Sequence, residues 1–494
     1  MDPEVIAAAI TAALPYSPNK QQSLVIGALS RFCAPVAEAA QAMAAASGND
    51  REAMLAAMAA QAPALSADYA FILAGYAGTG KTSLTGALVR ALGEAGVTTV
   101  LLAPTGRAAK VFAANAAHPA YTIHRRIYRH SLDGSTWPGL QENRLDNAVF
   151  IVDEASMISG EPGLGGTNSL LEDLIQYVYS GIGNRLIFLG DTAQLPPVGS
   201  DDSPAMNPEV LRSFGLKVSR ATLTAISRQT SGSGILYNAT SLRRAMAEGE
   251  IGVVPRLTVE GFGDVSVMGP EDLPEALESA YRRDGIDRTL LITRSNQRAT
   301  AFNRAIRAEV LYLESIIARG EQILVAKNNY FWSRKEKGLD FIANGDIAVV
   351  AEVYGTERRY GFTFADVALT FPDHGVTLDC KLVLDTLGSD TPALTYEQQS
   401  ALYNGLLCDD SLYDTGDYAL RARQVRNSPY WNALQVKYAY AVTCHKAQGG
   451  QWDNVFVDMG YIPPEAAGLD LYRWLYTAVT RARRRLTILD TRTT

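Results

Sequence analysis

Residues 71–89 restrict the chain to a narrow set of folds. An apolar run, Phe71-Ile72-Leu73-Ala74, leads into Gly75-Tyr76-Ala77-Gly78-Thr79-Gly80-Lys81-Thr82 and then into the helical pattern Ser83-Leu84-Thr85-Gly86-Ala87-Leu88-Val89. Strand, glycine-rich turn and helix in this order make a phosphate-binding loop. The glycines let backbone amides turn inward around a polyphosphate, and the helix points its positive end at the anion. Lys81 then reaches the terminal phosphates, and the Thr82 hydroxyl is offered to a magnesium ion. The candidate triphosphate contacts are Gly75, Ala77, Gly78, Thr79, Gly80, Lys81, Thr82 and Ser83.

With 494 residues and 47% hydrophobic content, the chain can bury several cores and is expected to be multidomain. Cys33, Cys380, Cys408 and Cys444 lack any CxxC spacing, which indicates neither a zinc site nor a disulfide framework and fits a reducing compartment. The first residues carry no basic n-region, and the alanine-rich stretch from Val36 to Ala46 is interrupted by Glu38 and Gln41, unlike a membrane span. The expectation is a soluble cytoplasmic protein with no membrane partner. A net charge of -7 neither supports nor opposes nucleic-acid binding, because net charge says little about a groove.

Residues 1–66 look helical, with alanine recurring from Ala7 and an apolar period near 3.6 resuming at Leu24, Val25 and Ile26. From 67 to 220, the apolar runs Phe71 to Leu73, Thr99 to Ala103, Val149 to Val152 and Leu186 to Leu189 alternate with helical segments, the pattern of a parallel sheet covered on both faces. A second set, Thr289 to Thr293, Tyr438 to Val442, Val455 to Val457 and Leu486 to Leu489, implies another α/β domain built from 221–320 and 435–494. Between them, 321–434 is β-rich with turns at Asn344-Gly345-Asp346 and Asp373-His374-Gly375, which suggests an inserted small barrel.

Two further segments carry chemistry. Asp153-Glu154 follows the strand Val149-Phe150-Ile151-Val152; Asp153 could hold the magnesium through water and Glu154 could deprotonate an attacking water. A lone Asp-Glu pair is usually a solvated turn, but a strand end in a chain with a phosphate loop favours the site. Gln194, after Leu186-Ile187-Phe188-Leu189, could bond the γ-phosphate or its attacking water, or it could be an exposed amide on a proline-stiffened loop. Within 125–148, Asp133-Gly134 is a hairpin signal flanked by basic and aromatic residues.

In order, the loop at 75–82, Ala103-Pro104-Thr105-Gly106-Arg107, Thr122-Ile123-His124, Asp153-Glu154-Ala155-Ser156, Gly190-Asp191-Thr192-Ala193-Gln194, Thr443-Cys444-His445-Lys446-Ala447-Gln448-Gly449 and Tyr476-Thr477-Ala478-Val479-Thr480-Arg481 resemble the motifs of superfamily 1 helicases, in the RecD-like and Dda-like branch. The resemblance runs from about 70 to 494. It implies two RecA-like motor domains with parallel sheets, an inserted pin hairpin at 125–148 and a small-barrel accessory domain at 321–434. It implies an enzyme that hydrolyses ATP with Mg2+ and unwinds DNA 5′-to-3′, acting on single strands and forks in replication, recombination or repair, together with other proteins of those processes. Arg228 matches the motif IV arginine and Arg481 the motif VI arginine finger, both expected at the γ-phosphate. Of Gln21 and Gln22, Gln22 is preferred as the adenine-facing glutamine. Pro104, Thr105, Arg107, Thr122, His124, Thr443, His445 and Lys446 match the positions that grip DNA, and Tyr128 or Trp137 would stack at the pin. His445 taken singly could equally be a core histidine, and Arg481 part of a solvated basic face. Two other readings stay open: the motor subunit of a recombination or nuclease complex, and a nucleotide-gated DNA-binding ATPase that does not unwind.

Overall fold

The computed structural model describes residues 1–45, 67–128, 139–162, 168–225, 232–335, 339, 341–409 and 417–490. These divide into two compact units, one running to Gly232 and one from Ser233 onward.

The first unit is built on six parallel strands: β1 Tyr69–Gly75, β2 Thr98–Ala103, β3 Ala120–Thr122, β4 Ala148–Val152, β5 Arg185–Gly190 and β6 Lys217–Leu223. Their order is β3-β2-β4-β5-β1-β6. Successive residues face opposite sides, so each strand feeds two cores. Phe71, Leu73, Val149, Ile151, Ile187 and Leu189 pack with the helix Lys81–Glu94 and with Ile6, Ile10, Val25 and Leu29 of two N-terminal helices, Pro3–Ala13 and Lys20–Ala45. Ala70, Ile72, Phe150, Val152, Leu186 and Phe188 pack on the other face with Leu171, Leu174 and Val178. Burial on both faces explains why the central strands read as continuous apolar runs. Among the described residues, one helix is long and apolar enough to cross a membrane, over Lys20–Ala42. Its Val25, Ile26, Leu29, Cys33 and Val36 are spent on the first core.

The second unit holds five parallel strands, β7 Val265–Met268, β8 Thr289–Thr293, β14 Ala441–Thr443, β15 Trp452–Asp458 and β16 Ala482–Leu489, ordered β14-β8-β15-β16-β7. Between β8 and β14 lies a closed barrel of β9 Gln322–Val325, β10 Ile347–Arg359, β11 Phe362–Phe371, β12 Val376–Val383 and β13 Leu434–Tyr438. Its β12–β13 pair is parallel, which requires a crossover; that crossover contains the helices Tyr396–Leu407 and Tyr418–Arg426. The apolar run Tyr438 to Val442, expected as one strand, is divided between two sheets. Ala439 N–H donates to Gln322 in the barrel, whereas the Tyr440 carbonyl accepts from Leu291 of the parallel sheet.

Candidate functional site

In the first unit, β1 lies between β5 and β6, with β4 beyond β5, so the connection leaving β1 runs across the sheet toward β2 while that leaving its neighbour β5 runs the opposite way to β6, a reversal of strand order. Open parallel sheets bind ligands at the carboxyl ends of strands beside such a reversal. The phosphate loop, Asp153-Glu154 and the Gly190 to Gln194 segment all leave the sheet at that edge, from β1, β4 and β5.

The loop turns through Gly78 and Gly80, with φ of 77° and 82°, and Gly80 caps the helix Lys81–Glu94. Lys81 Nζ donates to the carbonyls of Gly75 and, at 3.3 Å, Gly190, which links the loop to the end of β5. A Cβ on Gly75 would lie 2.9 Å from the Lys81 Cδ, so only glycine leaves the lysine its path. Thr82 is exposed at the first turn of the helix. Gln22 is 2% exposed and donates from Nε2 to the Thr79 carbonyl at 3.1 Å, whereas Gln21 bonds the backbone N–H groups of Thr224 and Ala225 at 2.9 Å each.

Asp153 Oδ1 accepts from Glu154 N–H at 2.8 Å. Burial, then the neighbouring Glu154 carboxylate, raises the Asp153 carboxyl to about 6 against the opposing effect of Lys81. Glu154 sits at φ 50°, a left-handed position that redirects the chain out of β4 into a 3-10 turn. Gln194 is buried rather than exposed on its loop, at 6%, and its Oε1 has no hydrogen-bond partner. A buried, unpaired carbonyl oxygen is costly and marks a place where a donor belongs. Together with the exposed Thr82 hydroxyl and the Asp153 carboxylate, this set suits a hydrated magnesium nucleotide.

At the same sheet edge, Thr105 ends β2 and caps the helix Gly106–Ala116, its Oγ1 accepting from Ala108 N–H at 3.2 Å. Thr122 ends β3 and accepts from Arg125 N–H at 3.2 Å. Each hydroxyl keeps its proton to donate. Pro104 and Arg107 flank Thr105 and are partly buried. Burial lowers His124 to about 4, so the imidazole is neutral near pH 7. Tyr128 is partly buried: it pairs with Leu140 in an isolated β-bridge, and its hydroxyl donates to Asp173 at 2.7 Å. Trp137, the Asp133-Gly134 turn and Arg228 lie outside the described residues.

In the second unit, Thr443 ends β14 and takes the N-cap position of the short helix Cys444–Ala447 without a side-chain bond to it. His445 and Lys446 are partly buried, which lowers the pKa of each, and Lys446 Nζ donates to Asn344 Oδ1 at the turn before β10. Arg481 is 3% exposed, and its guanidinium donates to the carbonyls of Thr477 at 3.1 Å and Gly450 at 3.2 Å and to Thr480 Oγ1. The solvated members of its basic run are Arg483, Arg484 and Arg485. Sequence reasoning missed Asn19, which pairs reciprocally with Gln22, and Asn344. The Asn19-x-x-Gln22 spacing was a readable helix-start signal, whereas nothing local marks Asn344 as a partner of Lys446.

Residues 56–256 match the family described as an AAA domain, and residues 438–489 match the UvrD-like helicase C-terminal domain. The ATP-dependent RecD2 DNA helicase of Deinococcus radiodurans is 34% identical over 130 residues, 26% of this chain and 16% of that protein. An uncharacterised protein of Methanocaldococcus jannaschii is 23% identical over 472 residues, 85% of this chain and 36% of its own length. The chain therefore spans well under two thirds of both relatives. The ATP-dependent DNA helicase Dda of Enterobacteria phage T4 is 26% identical over 441 residues, covering 83% of this chain and 92% of Dda. The crystal structure of a Bacteroides Pif1 helicase with ADP-AlF3 and ssDNA aligns at a TM-score of 0.42 and 16% identity, over 90% of this chain and 92% of that one.

Proposed function

We propose that the chain is a RecD- and Dda-like member of helicase superfamily 1, an ATP-dependent DNA helicase that moves 5′-to-3′ along a single strand and opens duplex at forks. The observation that carries the proposal is the convergence of Lys81, Asp153, Glu154 and the unpaired Gln194 Oε1 at the ends of β1, β4 and β5.

Lys81 exchanges its carbonyl partners for the β- and γ-phosphates of ATP. Thr82 and Asp153 would hold the magnesium ion, which when bound neutralises phosphate charge. Glu154 accepts a proton from the water that attacks the γ-phosphorus; the bond from that phosphorus to the β–γ bridging oxygen breaks, leaving ADP and phosphate. Gln194 orients that water or the γ-phosphate through its free carboxamide oxygen or its Nε2. Arg228 and Arg481 are assigned the developing phosphoryl charge through the resemblance of their motifs. Pro104, Thr105, Arg107, Thr122, His124, Thr443, His445 and Lys446 are assigned to the DNA backbone; strand-end hydroxyls and a helix N-terminus supply sequence-independent contacts. Strand separation is assigned to 125–148, with Trp137 the better stacking candidate because the Tyr128 hydroxyl is tied to Asp173.

The test is Glu154→Gln. It is expected to bind ATP as the wild type does while losing DNA-stimulated hydrolysis by at least about a hundredfold. Full hydrolysis in that variant would remove the proposed chemistry.

A further inference from the structure

We infer that Tyr461 stacks on a base of the single strand, and so adds a contact to the bases at an edge otherwise assigned to the DNA backbone. This rests on the DNA reading of that edge given above. A single exposed tyrosine is ordinary protein surface; the position and the support of this one are what point to a ligand. Strands β14, β8 and β15 are adjacent and parallel. Thr443 pairs with Thr293 and Val457 with Ile292, so Thr443, Thr293 and Asp458 stand level at one carboxyl edge. Neighbouring strands lie about 4.8 Å apart, which sets the ends of β14 and β15 about 10 Å apart. Tyr461 follows the last residue of β15, Asp458, by three positions and is 79% exposed. The segment that bears it therefore leaves the sheet two strands from Thr443.

The tyrosine is presented from a fixed base. Asp458, 1% exposed, accepts two bonds from the Arg298 guanidinium, one from Nε and one from Nη2 at 2.6 Å. A bidentate arginine–carboxylate pair fixes direction as well as distance. Asp458 Oδ1 also accepts from Gly460 N–H at 3.2 Å. Gly460 turns at φ 59°, and a Cβ there would lie 3.5 Å from the Arg298 guanidinium carbon, so the turn rests on that arginine. Beyond Tyr461, Pro463 and Pro464 restrict the backbone, and their carbonyls accept from Ala466 N–H at 2.9 Å and Ala467 N–H at 3.1 Å. Tyr461 is thus bracketed by a pinned glycine turn and the 3-10 turn Pro464–Ala466. Ordering a mobile loop opposes any binding made on it, and a loop already ordered avoids most of that loss. The tyrosine ring then offers a flat face with only two rotatable bonds behind it. Every base has a π-face, so such a contact tolerates any sequence, as a moving motor requires.

The experiment measures Kd of the full chain for a labelled oligothymidylate and for an abasic strand of the same length, over a series of salt concentrations. Wild type, Tyr461→Ala and Tyr461→Phe are compared. Tyr461→Ala is expected to weaken binding to the oligothymidylate about five- to hundredfold, and Tyr461→Phe, which keeps the ring, by less than about threefold. On the abasic strand, wild type and Tyr461→Ala should bind alike, because there is no base to stack on. Stacking releases no counterion, so the slope of log affinity against log salt should be the same in both proteins. An equal loss on both strands, a shallower salt slope in Tyr461→Ala, or a loss on the oligothymidylate below about threefold would overturn the inference. Wild-type protein that binds neither strand would instead dispose of the DNA reading itself, and the inference with it.

Discussion

Gly80→Ala separates backbone strain from contact at the phosphate loop, because Gly96 provides a matched control. Both glycines are left-handed, at φ 82° and 75°, but a Cβ at Gly96 meets nothing within 4 Å whereas one at Gly80 meets Tyr16 Oη and Gln22 Nε2 below 3.0 Å. The strain of a left-handed alanine is roughly 1–2 kcal/mol and is common to both variants. At Gly80 the side-chain tips must also retreat, which breaks the Gln22 bond to Thr79 and disturbs the cap with Asn19. Each lost bond adds about 0.5–1.5 kcal/mol. Gly80→Ala should therefore cost about 2–4 kcal/mol and Gly96→Ala about 1–2 kcal/mol. Hydrogen exchange of the amides in β1 and the helix Lys81–Glu94 reads the opening free energy of this region. Tyr16→Phe in the Gly80→Ala background should recover part of the difference. Equal costs at the two glycines would refute the reasoning, since the contacts would then contribute nothing.

In the second unit, Arg307 Nε donates to Glu321 Oε1 at 2.6 Å, and both side chains are buried. Glu321→Gln leaves a buried guanidinium without its counter-charge and should destabilise by about 3–5 kcal/mol, read by urea unfolding with the fluorescence of Trp332, Trp431, Trp452 and Trp474. Replacing both residues with methionine should recover most of that loss, and a Glu321→Gln variant as stable as wild type would contradict the pairing. His124, held neutral down to about 4 by burial, gives a pH dependence of definite sign. Between that value and the ordinary 6.5, the unfolded chain binds more protons, so stability present above pH 6.5 falls with pH, by at most about 3 kcal/mol. Unfolding free energies at pH 5 and 7.5 should show this loss in the wild type and a smaller one in His124→Gln; equal losses would refute it.

What was legible in the sequence was local or periodic. The loop at 75–82 declares itself because strand, glycines, lysine and helix are contiguous, and β4 and β5 are visible because strands buried on both faces become unbroken apolar runs. Features set by distant partners were not legible. Arg481 begins a basic run that resembles a solvated face; only the folded chain brings Gly450 within bonding distance and buries that one arginine. The run Tyr438 to Val442 looks like a single strand because hydrophobicity does not record that Gln322 and Leu291 claim adjacent parts of it. Gln22 is intermediate: its match to a family position implied contact with the base, while the spacing to Asn19 already encoded the reciprocal helix cap the two residues form.

The most direct test of the central claim measures ATP hydrolysis and strand separation together on 5′-tailed, 3′-tailed and blunt duplex DNA, with wild type and Lys81→Ala. The account predicts hydrolysis stimulated by single-stranded DNA, opening of the 5′-tailed duplex only, and loss of both activities in Lys81→Ala. Opening of the 3′-tailed duplex alone, or hydrolysis indifferent to DNA, would contradict it.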